Sequence, residues 1–439
     1  MVYAFFRWFF ATALGIFYRW TAPAGGAIPT EGPLVIVGNH PNGLIDPVAV
    51  MRLTHRPVRF LAKAPIFKMP VLGALVRAMK CLPVYRKQDD PSQMGKNDET
   101  FKAAHAALKE GGAICIFPEG KSHSGPALEP LKTGAARIAL GAESEAGFAL
   151  GVRFVPVGFV YRHKGIFRSE VAVALGAPIP IADLKEAHAA DPIAASHALT
   201  ERIDVGLRQV TVNLDSWEDL PLVEAAERLY RAERGAGSGT GLLPFAKGLA
   251  ELRAKDSARL ESVRRRILAF DGTLRALRLP VDDLGQVRPI RALRFAALRL
   301  LLTLLGAVPA LVGVVAYLVP YQFIRLLAAL LAKEADMKAT VKLLSGVVFM
   351  PLWTAGLAWL CWHLLGARGL ALGLALVPAC GLFALLFLEK ERESLRDLRA
   401  FFALRARGTL RERLLARRKA LVDELDALGH EVGVLPVAL

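Results

Sequence analysis

"PLVIVGNHPNGLIDPVAV", residues 33–50, decides how the first half of this 439-residue chain is read. Leu34, Val35, Ile36 and Val37 form an unbroken aliphatic run, the pattern of a short strand covered on both faces. Val48-Ala49-Val50-Met51 reads as the start of a packed helix. Asn-His-Pro-Asn-Gly between them is good turn chemistry, and Asp46-Pro47 suits a helix start. The break is therefore either a plain turn or a site. His40 and Asp46 are six positions apart and cannot share one face of a regular helix. They can meet if the chain turns at Pro41-Asn42-Gly43 and then enters a helix. An Asp accepting from one imidazole nitrogen fixes the tautomer and leaves the other nitrogen to remove a proton from a hydroxyl.

Outward from this stretch, short apolar runs alternate with polar turns and helical periodicity. Strands are predicted at 34–37, 58–62, 81–85, 113–117, 153–161 and 169–175, and helices at 47–54, 70–79, 99–110 and 131–144. Strands alternating with helices define an α/β layer fold, a mixed sheet with flanking helices.

Three further blocks carry chemistry. "IFPEGKSHSGPALEPLKTGAARIAL" (116–140) places Glu119 and Gly120 just after a strand, then Lys121, Ser122, His123 and Lys132 on a loop entering a helix. Hydroxyls, cations and free backbone N–H groups ahead of a helix suit a phosphate; the same composition also describes an ordinary polar loop. "KCLPVYRK" (80–87) ends a strand with Arg86, whose guanidinium grips phosphate as a fork. "VRFVPVGFVYRHKGIFRS" (152–169) is a strand with Pro156 inside it, which predicts an edge or a bulge that shapes a groove.

Composition narrows the partners. Hydrophobic residues make up 54% of the chain, and 56 Lys and Arg against 40 Asp and Glu leave a formal charge of +16. A basic, apolar chain suits an anionic membrane surface. No zinc-finger spacing, RNA-recognition signature or interleaving of Arg with aromatics points to nucleic acid. No cluster has metal-ligand spacing, so no metal is expected. Cys81, Cys115, Cys361 and Cys380 form no CxxC pair and are expected to be reduced thiols in a reducing compartment.

The expected organisation has five parts. "MVYAFFRWFFATALGIFYRWTA" lacks a basic start before its apolar run, so residues 1–25 are expected to form a membrane-interface helix. The α/β domain is expected over 26–190, and a charged helical region over 191–290, with a flexible linker at "RGAGSGTG" (234–241). A membrane domain follows at 291–390. In it "LLLTLLGAVPALVGVVAYLV" (300–319), with Gly306, Pro309 and Gly313 at its middle, is read as a re-entrant segment. Residues 345–388 are read as a two-helix hairpin turning near Arg368. Arg325, Lys333, Lys338 and Lys342, and the Arg-rich basic helical tail at 391–439, predict a cytoplasmic face for the tail and the α/β domain.

"NHPNGLID", "LPVYR", "FPEGKS" and "VPVGF", in this order over residues 30–185, resemble the glycerolipid acyltransferase superfamily, the glycerol-3-phosphate and 1-acylglycerol-3-phosphate acyltransferases. The longer stretch from "FPEGKSHSGPALEPLKTGAARIALG" into "VPVGFVYRHKGIFRSEVAVALGAPI" is most similar to the fungal-type glycerol-3-phosphate and dihydroxyacetone-phosphate acyltransferases. Two departures stand out. Five residues separate His40 from Asp46 where the family motif has four, and Lys121 stands where many members have Thr.

The resemblance implies acyl transfer from an acyl-CoA or acyl-carrier-protein thioester to a hydroxyl of glycerol-3-phosphate or a lysophospholipid, with no further cofactor. His40 would be the base and Asp46 its orienting partner. Arg86, Glu119, Gly120, Lys121 and Ser122 would form the acceptor-phosphate site, with Asn42, His123, Lys132 and Pro156 as further contributors. A different lysolipid acceptor, or an inactive membrane scaffold on the same fold, stays open at this point.

Overall fold

The structure is a computed structural model. It describes residues 2–21, 23–86, 90–235, 241–277, 279, 281, 289–332, 334, 336–405 and 408–434. The chain forms two compact units, Met1–Asn213 with Ala332–Leu343, and Leu214–Leu331 with Leu344–Leu439.

The first unit is built on one mixed sheet. In chain order its strands are β1 (Arg19–Trp20), β2 (Ala24–Gly25), β3 (Leu34–Gly38), β4 (Val58–Lys63), β5 (Leu82–Val84), β6 (Ala113–Ile116), β7 (Arg153–Tyr161), β8 (Glu170–Leu175) and β9 (Ile179–Pro180). The spatial order is β1-β8-β7-β3-β6-β4-β5, with β2 on β8 and β9 on β7. β3 runs parallel to β6 and β7 on either side, and β7 pairs antiparallel with β8.

Period-two alternation feeds two cores. Leu34 and Ile36 of β3 and Cys115 of β6 join one core, with Leu14, Tyr18, Ile45 and Ala49. Val35, Val37, Ile114 and Ile116 join the opposite core, with Ala104, Ile138, Leu199 and Ile203. The expected mixed sheet with flanking helices is present, with strand positions close to those read from the pattern. All four cysteines are free, and burial pushes the Cys115 thiol well up.

Several details differ from the sequence reading. Pro156 is neither on an edge strand nor in an outward bulge. It lies in β7, between β3 and the antiparallel strands, at the gap where the partner changes from β9 (Phe154–Ile179) to β8 (Val157–Leu175). Its missing N–H falls in that gap, so no ladder bond is lost. The sheet's covering layer also runs past residue 190. The helix Pro192–Val210 buries Leu199, Ile203, Leu207 and Val210 at helical spacing and belongs to the same core.

In the second unit, the helices Leu220–Arg234, Leu243–Lys255, Ser257–Ala276 and Gly408–Glu431 pack together. Arg418 pairs with Glu233 at 2.7 Å, Arg259 with Glu431 at 2.7 Å and Arg234 with Asp423 at 2.9 Å. The basic tail is thus tied down through Leu414, Leu421, Val422 and Leu428, all buried. Residues 236–240 of the expected linker, and Lys333, lie outside the described residues.

Residues 300–319 do not turn back. They lie within one helix, Pro289–Leu331, that continues through Pro309. Gly306 and Gly313 serve packing rather than a turn: a Cβ on Gly306 would enter the Phe387 ring, and one on Gly313 would collide with the Cys380 carbonyl. A proline in an apolar helix is tolerated when neighbouring groups satisfy the freed backbone. The hairpin at 345–388 is present, with its break at Gly366 rather than Arg368. Leu301–Leu331 and Met337–Glu391 are helices long and apolar enough to cross a membrane.

Candidate active site

The loops after the carboxyl ends of β3, β5, β6 and β7 hold the chemical groups, the place where open α/β sheets bind ligands. After β3, Asn39 extends the ladder with its side chain. Its Oδ1 accepts from Phe159 N–H at 2.8 Å and its Nδ2 donates to Phe159 O at 3.1 Å. That pins the chain just before His40. The Pro-Asn-Gly turn then brings Asp46 back into the first turn of the helix Ile45–Leu53.

His40 Nδ1 lies 2.9 Å from Asp46 Oδ2. The five intervening residues are absorbed by the turn, where the Asn42 N–H donates to the same Oδ2 at 2.7 Å. Asp46 is fully buried, and the Tyr161 hydroxyl donates to its other oxygen at 2.6 Å. A carboxylate accepting that many bonds is held as an acceptor, so Nδ1 carries the proton. Nε2 is then the basic nitrogen, and it has no hydrogen-bond partner among the described residues. The imidazole stacks on Phe117, with ring centroids 4.2 Å apart. Burial raises the pKa of Tyr161, and the Asp46 charge raises it further, so its phenol stays a donor. Burial likewise raises that of Tyr18, whose hydroxyl receives a bond from Asn42 Nδ2 at 3.0 Å. Asn42 is wholly buried and its Oδ1 has no partner among the described residues.

The loop after β6 is ordered by Glu119, which is 2% exposed. Its carboxylate accepts from the His40 N–H at 2.8 Å and the Glu129 N–H at 2.9 Å, and pairs with His123 Nε2. His123 Nδ1 accepts from the Gly125 N–H at 3.0 Å, so both ring nitrogens are occupied. Gly120 has φ +76°, a left-handed conformation that favours glycine, and the Lys132 side chain fills the space a Cβ would need. Arg86 Nη1 donates to Gly120 O at 3.3 Å, which brings a strand-end guanidinium from β5 to the same turn. An open cleft of about 280 Å³ borders His40, Glu119, His123 and Leu128.

His40, Asp46, Asn42, Arg86, Glu119, Gly120, Ser122, His123 and Lys132 therefore converge on adjoining loops. Lys121 is more than half exposed and ion-pairs with Glu129 at 2.9 Å. Pro156 packs toward Gly176 and Gly206, not the cleft. Glu119 spends both oxygens on the protein, so it orders the loop rather than offering a contact.

The sequence reading missed three groups. Tyr161 is one, and a phenol at the end of an apolar, largely buried strand was its signal. Lys164 is another: its Nζ donates to His123 O and Ser124 Oγ, both at 3.3 Å. Burial lowers its pKa, and the charges of Asp46, Asp336 and Glu119 act against that shift. Asp336 is the third, and it accepts from the Ser122 hydroxyl across 214 residues of sequence.

Residues 25–160 match the family model described as Acyltransferase. Together with the relatives below, that match makes this stretch similar to the glycerolipid acyltransferases. The chain is 29% identical over 259 residues to glycerol-3-phosphate O-acyltransferase 2 of Saccharomyces cerevisiae, covering 56% of this chain and 34% of the relative. It is 24% identical over 373 residues to glycerol-3-phosphate O-acyltransferase 1 of the same yeast, covering 64% of this chain and 49% of the relative. A chloroplastic 1-acyl-sn-glycerol-3-phosphate acyltransferase of Brassica napus is 30% identical over 110 residues, 25% of this chain and 30% of that one. This chain thus spans half or less of the length of each.

Proposed function

We propose that this chain transfers a fatty acyl group from an acyl thioester to a hydroxyl of a glycerol-phosphate acceptor at a membrane. The observation that carries the reading is the His40–Asp46 pair, with Nε2 left unpartnered at the strand ends beside Arg86 and the Gly120 turn. His40 Nε2 takes the proton of the acceptor hydroxyl while Asp46 stabilises the imidazolium. The acceptor oxygen bonds to the thioester carbonyl carbon, the carbon–sulfur bond breaks, and the imidazolium returns its proton to the departing thiolate. Ester and free thiol are the products. A thiolate leaves readily, so no covalent acyl-enzyme is required.

Arg86 and Lys132 are the cations placed to hold the acceptor phosphate. Lys121 serves at most the rim, because its ammonium is turned to Glu129. Glycerol-3-phosphate is the favoured acceptor, since two relatives carry that substrate in their names. Acyl-CoA or acyl-carrier protein is the donor, and no resident cofactor is needed.

The apolar helices and the exposed aromatics Phe5 and Trp8 of the N-terminal helix support seating on anionic lipid. The basic residues flanking the apolar helices support a cytoplasmic face for the catalytic domain and tail. Labelling of single cysteines introduced at residues 121 and 430 in intact cells checks this orientation; labelling from outside overturns it.

The deciding experiment supplies labelled palmitoyl-CoA with glycerol-3-phosphate, dihydroxyacetone phosphate or lysophosphatidate to purified, detergent-solubilised chain, beside His40→Ala. Product that depends on His40 and on one acceptor supports the reading. No product with any of them, nor with an acyl-carrier-protein donor, overturns it.

A further inference from the structure

The site is completed by a segment some 290 residues downstream of its first motif. Residues 336–343 enter and begin the second long apolar helix, yet they belong to the catalytic unit. Ala339 is fully buried and Leu343 nearly so, both in the core that holds Ile45 and Ala49. Three contacts reach three different loops. Thr340 Oγ1 accepts from the Leu44 N–H at 3.3 Å, in the turn between His40 and Asp46. Asp336, 3% exposed, accepts from the Ser122 hydroxyl. Lys342 Nζ donates to Gly165 O at 2.6 Å, beside Lys164.

Gly43 shows how close the approach is. Its φ is +39°, and a Cβ there would lie 3.0 Å from Thr340 Oγ1 and 3.4 Å from Asp336 O. The glycine in "HPNGLID" thus makes room for a segment that the local sequence gives no sign of. The turn that holds one residue more than the family motif is the turn this segment packs against.

We infer that residues 336–343 are a positioning strap, which holds the His40–Asp46 turn and the Ser122 loop in fixed relation. The inference rests on the acyl-transfer reading for its kinetic consequences only. Thr340 gives the half-buried Leu44 N–H its acceptor, and an N–H left without one distorts the turn that carries the base. Asp336 takes the single proton of Ser122, so Ser122 offers only lone pairs and cannot donate to a phosphate while that bond holds. Asp336 thereby sets how the acceptor's phosphate is received, through Ser122 and through its charge near Lys164. Neither residue touches the reacting atoms.

The test uses the full chain in detergent, with Thr340→Val against Thr340→Ser and Asp336→Ala against Asp336→Asn. Thr340→Val is expected to lower kcat roughly tenfold with both KM values little changed, the cost of a slightly misplaced base. Thr340→Ser restores it, because the hydroxyl is kept. Asp336→Ala is expected to move the acceptor KM and not the donor KM, and Asp336→Asn, which can still accept from Ser122, is expected to lie nearer the wild type.

A second readout needs no turnover. The rate at which diethyl pyrocarbonate modifies His40, followed by peptide mass spectrometry, should differ between Thr340→Val and Thr340→Ser. Equal rates in that pair overturn the strap, as do activity losses in all four variants that simply follow their melting temperatures. If the wild type transfers no acyl group at all, the functional reading fails, and the modification rates still decide the strap.

Discussion

Two loops of the site each place a histidine against a buried carboxylate, and they end in opposite states. In the turn after β3, His40 spends Nδ1 on Asp46 and keeps Nε2. In the loop after β6, His123 spends Nε2 on Glu119 and Nδ1 on the Gly125 N–H. Asp46 receives a phenol and a backbone N–H besides the imidazole, and Glu119 receives two backbone N–H groups besides its own. The residue types are nearly the same. What separates the two histidines is which ring nitrogen is left over, and backbone geometry decides that. The two loops are also joined, because Glu119 accepts from the backbone N–H of His40 itself.

The comparison can be tested from the largest effect down. His40→Ala should lower kcat by about 10²–10⁴, the usual worth of a positioned base. It should leave the melting temperature nearly unchanged, and steady-state acyl transfer with a thermal melt checks both. Asp46→Asn should fall almost as far, because an amide can donate to Nδ1 and drive the ring proton onto Nε2. The sign of that tautomer change is readable by ¹⁵N NMR of labelled histidine.

Arg86→Ala should raise the acceptor KM by roughly ten- to a hundredfold, as loss of about 1.5–3 kcal/mol from a charged hydrogen bond requires. The acyl-donor KM should stay in place; a defect confined to the donor would remove Arg86 from the phosphate site. His123→Gln should cost least, about a few-fold in kcat, with a clearer loss of thermal stability, since it severs one bond of a loop that has others. If His123→Gln abolished transfer as completely as His40→Ala, the distinction between the two histidines would fall.

Much of the α/β unit was legible because its signals are local. The aliphatic runs of β3, β6 and β7 are strands whatever lies around them, and turn residues after each mark the strand ends. Other features depended on neighbours. Pro156 looked like an edge signal because a proline lacks a donor, and only the change of partner from β9 to β8 shows where a donor is not needed. Gly306 and Gly313 around Pro309 suggested a turn within the membrane. They are contact points in an unbroken helix, and composition alone cannot tell a flexible glycine from one that admits a neighbour.

By itself, the sequence determined the strands β3 to β8, a turn after β3 through which Asp46 can meet His40, the two loops that carry Arg86 and Glu119, and the apolar character of the C-terminal helices. Each rests on interactions within a few residues or on a periodic pattern. Tertiary structure alone decided that Tyr161 caps Asp46, that Lys121 faces Glu129 while Arg86 reaches Gly120, and that Asp336 and Thr340 close the site from the far end of the chain. Those contacts join residues whose separation in sequence is set by loop and domain lengths. Nothing in the residues near His40 encodes which distant hydroxyl will sit against Gly43.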